Sequence, residues 1–173
     1  MDRELCRKHC ATARDINSAV LSGIEVPASF RASLPANAKP VLGGDLHREM
    51  LHSRSCDIQA FVARHGVTPE NVCAVLSKLE KANIIWRNKN TSDVKAVNAQ
   101  LYVSQLRQAF PGAGQTELEK AKIGANKDVG CAVLEAYSRC LESRAASILS
   151  RIEDVIKADN QAKIAAGGAL GMA

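Results

Sequence analysis

The stretch KDVGCAVLEAYSRCLESRAASILSRIEDVIKAD, Lys127 to Asp159, decides the fold class. Val129, Val133, Tyr137, Cys140, Leu141, Ile148, Ile152 and Val155 recur along it as an apolar stripe, which predicts one long helix. Tyr137, Leu141, Ile148 and Ile152 are expected in the core. Glu135, Arg139 and Arg151 are expected on the opposite, solvated face. Asn126, just ahead of the stretch, suits a helix cap, because its short polar side chain can satisfy amide groups that a first turn leaves without partners. Behind the stretch, Gln161 to Ala173 is rich in small residues and glycine and is expected to form a flexible tail.

Working outward, the rest of the chain also reads as helices. Leu5, His9, Thr12, Ile16, Val20 and Ile24 recur at spacings of three and four, giving a helix from about Asp2 to Ile24 that ends near Gly23 and Pro27. Pro27 to Leu34 suits a short helical turn, and Pro35 and Pro40 bracket a loop. Leu42-Gly43-Gly44-Asp45 opens a helix to about Leu51, and Asp57 to His65 forms another, stopped by Gly66. Thr68-Pro69-Glu70 combines a cap, a proline suited to a first helical position and an acid that favours the helix dipole. The helix it starts runs to about Arg87, with Val72, Val75, Leu76, Leu79, Asn83 and Trp86 on one face. Thr91 or Ser92 caps a further helix that Pro111-Gly112 ends after Phe110. Pro111 to Ala125 is a connector in which Gln115-Thr116 begins a short helix. No segment alternates with period two for long enough to be a strand, and no internal repeat is visible. The chain is expected to be an all-α, multi-helix bundle with a long C-terminal helix.

Composition narrows the function classes. The chain is 46% hydrophobic and only 3% aromatic, too apolar for global disorder. No apolar run is long enough for a membrane-spanning helix. The net charge of +5 is spread among interspersed acids and bases, as on a solvated mixed surface, and nucleic acid is not an expected partner. The charged start Met1-Asp2-Arg3-Glu4 lacks a secretory pattern. The six cysteines, Cys6, Cys10, Cys56, Cys73, Cys131 and Cys140, are therefore expected to be thiols of a cytoplasmic protein, and the sequon Asn90-Thr91-Ser92 is expected to be unused.

Bond-making chemistry finds little support. Cys6, His9 and Cys10 have a spacing that one helix face could offer to zinc, but no fourth ligand follows. Cys131 and Cys140 are separated by about 13 Å of helical rise and cannot bridge each other. His47 and His52 are five apart, not the four of a zinc-enzyme helix. Asn126-Lys127-Asp128 is one residue short of the guanine-reading Asn-Lys-x-Asp of small GTPases, and no phosphate-binding glycine loop exists. No cofactor and no metal are expected. Trp86 is expected to anchor the core.

Three stretches together carry a resemblance. One is Ala32-Ser33-Leu34-Pro35 with Leu42-Gly43-Gly44-Asp45 and Arg48; the second ends in Ile85-Trp86-Arg87. The third and most specific holds Phe110-Pro111-Gly112, Gln115-Thr116, Lys122-Ile123, Asn126-Lys127-Asp128-Val129-Gly130, Leu134-Glu135-Ala136-Tyr137-Ser138-Arg139, Leu141-Glu142-Ser143 and Arg151-Ile152-Glu153-Asp154. In order and spacing these resemble the PRONE domain, the plant-specific exchange factor for Rho-type GTPases, and are expected to match its C-terminal half only. Residues 1–160 are then a partial PRONE-like domain and 161–173 its tail. The resemblance implies a helical fold, promotion of GDP release from a plant Rho-type small GTPase, a homodimer or a heterodimer with a full-length PRONE protein, and recruitment to the plasma membrane through the GTPase. Gly44, Asp45, Asn126, Lys127, Asp128 and Gly130 match its polar or glycine-rich motifs and are candidates for the GTPase surface, although the same residue types also serve as caps and tight turns. The family's paired-tryptophan loop lies ahead of the segment that starts at Met1, so the alternative is a non-catalytic helical interaction module derived from PRONE.

Overall fold

The computed structural model describes residues 3–52, 57–89 and 94–169. Among them are eight helices and no strand: α1 Arg3–Gly23, α2 Ala28–Ala32, α3 Lys39–His52, α4 Ile58–His65, α5 Val72–Lys89, α6 Val94–Ala109, α7 Glu117–Ala125 and α8 Val129–Ala169. The all-α expectation holds. Cys56, the sequon and the Thr91 or Ser92 cap lie outside the described residues.

One lobe forms around α5. Its buried Val72, Leu76, Leu79, Asn83 and Trp86 follow the helical period read from the sequence, and they meet Leu42, Leu46 and Met50 of α3, Phe61 of α4 and Tyr102, Val103 and Leu106 of α6. Ala82, Ala96 and Ala99 are fully buried, and small side chains let α5 and α6 approach closely. Asn83 makes its place in this core by donating to the Ala96 carbonyl at 2.9 Å and to Gln100 at 3.2 Å, since a buried amide without partners would be costly. Phe61 stacks between Tyr102 and His65, each at a ring separation of 4.6 Å. Helix α5 starts three residues later than the Thr68 cap with Pro69 in first helical position implies. Thr68 instead opens a turn in which its amide donates to Asn71 Oδ1 and its carbonyl accepts from Val72.

The second lobe is an antiparallel pair formed by α1 and α8. Cys6, Cys10, Ala13, Asn17 and Leu21 of α1 are buried, as are Glu135 and Ser138 of α8. Arg7 pairs with Glu153 at 3.2 Å near one end, and Ser138 Oγ lies 3.5 Å from Asn17 Oδ1 near the other. Here the helix is confirmed but its orientation is not the expected one. Tyr137, Leu141 and Ile148 are exposed, Tyr137 by 65%, and Ile152 is half-buried, while Glu135 is 2% exposed. Glu135 reaches the seam because two donors meet it there: Arg139 Nε at 3.1 Å and Gln115 Nε2 at 2.9 Å. Helix α8 also continues to Ala169, ten residues beyond the predicted end and through most of the segment expected to be tail.

Candidate functional site

Two of the sequence candidates sit on α3. Gly43 adopts φ 78° and ψ 173°, a conformation that essentially only glycine tolerates. It kinks α3, and the helix resumes at Gly44 and Asp45. Both are exposed, and Asp45 pairs with Arg48 at 3.6 Å across one turn.

The other four lie where α7 gives way to α8: Asn126, Lys127 and Asp128 in the connecting turn and Gly130 in the first turn of α8. Asn126 ends α7 and bonds twice to Asp128: its Nδ2 donates to the Asp128 carbonyl and its Oδ1 accepts from the Asp128 amide, both at 3.1 Å. Asp128 in turn caps α8, its Oδ1 accepting from the Cys131 amide at 3.1 Å. A Cβ at Gly130 would stand 3.2 Å from that same oxygen, so glycine there leaves the cap its room. Asn126 and Asp128 thus spend their polar atoms on the backbone. Lys127, held between them, is exposed and forms no ion pair with a described residue. The α3 pair and the α7–α8 turn belong to different lobes. No hydrogen bond or ion pair joins them among the described residues.

What does join the lobes is a polar network that sequence reasoning missed. Arg107 of α6 contacts Glu119 of α7 at 2.5 Å and Glu80 of α5 at 3.4 Å. Thr116 and Glu119 form a reciprocal capping box that starts α7, and the Thr-x-x-Glu spacing was its sequence signal. Three bonds cross to the α1–α8 pair: Arg14 Nη1 to the Arg107 carbonyl at 3.2 Å, Lys122 Nζ to the Leu21 carbonyl at 2.7 Å, and Gln115 to Glu135. Beside the network runs a groove of about 670 Å³ between α1 and α5–α7. Burial pushes the Glu80 carboxyl above its usual range despite bonds from Thr116 and Arg107. Burial likewise raises Glu142 against the pull of Arg14 and Arg107, and lowers Lys122. Burial disfavours the Arg107 charge too, but Glu119 and Glu80 outweigh it and hold the guanidinium charged.

The remaining sequence candidates do not converge. Cys6 and Cys10 are buried against α8, while His9 is exposed. No three His, Cys, Asp or Glu side chains gather into a metal-holding group among the described residues. Cys73 Sγ is turned to the Gln115 carbonyl at 3.2 Å, and Trp86 is a core residue with His47 6.3 Å away. Among the described residues no helix is long and apolar enough to cross a membrane.

The PRONE (Plant-specific Rop nucleotide exchanger) family model matches residues 1–101 and 92–164. This corrects the expectation of a match to the C-terminal half only, for the match spans nearly the full chain. Rop guanine nucleotide exchange factor 10 of Arabidopsis thaliana is 38% identical over 166 residues, covering 85% of this chain and 34% of that protein. Rho guanine nucleotide exchange factor 8 from the same plant is 36% identical over 167 residues, covering 87% and 32%. Rop guanine nucleotide exchange factor 11 is 34% identical over 174 residues, covering 91% and 32%. The chain spans about a third of the length of these relatives. With helices throughout and a family match from residue 1 to residue 164, the chain belongs to the PRONE family.

Proposed function

We propose that this chain binds a plant Rho-type small GTPase and promotes release of its GDP. The observation that carries the reading is the family match along residues 1–164, shared with relatives named as Rop or Rho guanine nucleotide exchange factors. The physical requirement is one of linkage. A protein that holds the nucleotide-free GTPase more tightly than the GDP-bound form must weaken GDP binding by the same factor. No bond need be made or broken, which fits a surface of caps, turns and exposed polar groups.

The contact is assigned to Gly44 and Asp45 on the kinked α3 and to Asn126, Lys127, Asp128 and Gly130 in the α7–α8 turn. The turn offers a cation on a rigid mount: Asn126 and Asp128 are tied to the backbone, so presenting Lys127 to an acidic surface costs little backbone ordering entropy. The protein would act in the cytoplasm and reach the plasma membrane with its GTPase. The test is affinity for a plant Rho-type GTPase stripped of nucleotide against the same GTPase loaded with GDP. Tighter binding to the stripped form supports the proposal. Equal binding to both forms, or none, overturns exchange, and equal binding leaves the non-catalytic module in its place.

A further inference from the structure

Among the described residues, three serines or threonines lie outside the helices: Ser33, Thr68 and Thr116. Thr116 is fully buried and serves the α7 capping box. Thr68 bonds through its side chain to the Glu70 carboxylate, an acid that would repel added negative charge. Ser33 is exposed, at the start of the irregular link from α2 to α3. The five-residue α2 ahead of it is a single turn, too short to hold its shape unaided, so a modifying enzyme can draw the segment into an extended strand at little cost. The Ser33 hydroxyl donates only within that turn, to the Phe30 carbonyl at 2.7 Å. Arg31, also exposed, stands two residues ahead of it, and Leu34 follows it.

The surface opposite the hydroxyl is basic. Ser33 and Leu34 form one wall of a cleft of about 320 Å³, and Lys78 and Lys81 of α5 with Glu117 of α7 form the other. The two lysines are three residues apart and share a face of α5. Lys78 is exposed and forms no ion pair with a described residue, while Lys81 pairs with Glu117 at 2.6 Å. The far end of the link is already tied to α5, by Lys89 Nζ donating to Asn37 Oδ1 at 2.7 Å. The Ser33 side chain makes no such bond to α5. We infer that Ser33 is a phosphorylation site whose phosphate docks on Lys78 and Lys81. The step takes the γ-phosphoryl group of ATP: the bond from Ser33 Oγ to phosphorus forms, and the bond from phosphorus to the oxygen bridging to the β-phosphate breaks. ADP leaves, and the hydroxyl proton passes to a base of the kinase. The kinase is of the class that reads a basic side chain two residues before its serine, here Arg31. The product carries about −1.5 to −2 charge at neutral pH. It outcompetes the single charge of Glu117 for Lys81 and ties the link to α5 at its second end.

A kinase of that class is chosen by its action on a synthetic peptide of residues 28–38, and the full chain is then offered to it with ATP. Mass spectrometry of the digested chain should place a phosphate on Ser33, and Ser33→Ala should remove it. Phosphorus NMR of the phosphorylated chain reads the docking. The second ionisation of the phosphate, at about 6 in free phosphoserine, should fall by at least about half a pH unit against the phosphorylated peptide, because the lysines favour the dianion. Lys78→Gln with Lys81→Gln should restore the peptide value, and Glu117→Gln, which releases Lys81, should deepen the fall. A peptide that no kinase of the class modifies, a chain left bare at Ser33 by a kinase that modifies the peptide, or a phosphate on the chain that ionises as it does on the peptide would each overturn the inference.

Discussion

Replacing Arg107 with methionine tests whether the network between the lobes is a unit. Arg107 is 20% exposed on its side chain, and its partners Glu80 and Glu119 are 11% and 12% exposed. Methionine keeps most of the apolar stem but strands two buried carboxyls. Breaking a buried pair by removing one partner costs roughly 3–5 kcal/mol. Because burial already raises the Glu80 carboxyl, taking up a proton relieves part of that more readily than at an ordinary carboxyl, and the lower end, about 3 kcal/mol, is expected at neutral pH. For a chain of this length that is a fall in Tm of about 6–12 °C. The cost should also depend on pH. Burial already raises the folded carboxyl of Glu80, so its contribution to stability is fully present below the unfolded carboxylate pKa and is lost as pH rises through the raised value. Arg107 works against that rise, so its removal should hurt least in acid and most above the carboxylate range. Urea unfolding between about pH 5 and about pH 8, followed by circular dichroism, reads both effects. Adding Glu80→Gln to Arg107→Met should recover at least about 1 kcal/mol at the upper pH. A cost under about 1 kcal/mol, or one that is the same at both ends of the range, would refute the reasoning.

Two other substitutions probe the candidate elements. Gly43→Ala places a side chain at φ 78° and ψ 173° and should cost about 1–3 kcal/mol, read as a lower urea midpoint. Lys127→Glu should leave thermal unfolding within about 0.5 kcal/mol, because the side chain is exposed, yet weaken GTPase binding at least about tenfold. Asp128→Ala should instead lower stability by about 1 kcal/mol through loss of the α8 cap, which separates the turn's structural role from its binding role.

Helix α5 was legible because its apolar residues recur on one face, which the core lobe buries, although the Thr68 cap signal opens a turn ahead of the helix rather than the helix itself. Helix α8 was legible as a helix but not in its orientation. Periodicity reveals that a stripe exists, not which neighbour takes which side. The α8 seam is made of Glu135, Ser138, Glu142 and small residues, and it can be buried only because Gln115, Arg139 and Asn17 arrive with hydrogen bonds. Arg139 lies one turn along α8 itself, but Gln115 comes from a connector and Asn17 from α1, more than a hundred residues away. The Asn126–Gly130 turn was readable as a cap because its bonds are local, although Asp128 rather than the expected Asn126 meets the first amides of α8. The Arg107 network was not, since Glu80 and Glu119 approach it from two other helices.

The proposed activity is exchange on a Rho-type GTPase. Its most direct test is release of a fluorescent GDP analogue from a plant Rho-type GTPase, with and without the folded chain in micromolar excess. The account predicts faster release with the chain present and loss of the acceleration with Lys127→Glu. An unchanged release rate in the presence of folded chain would contradict it.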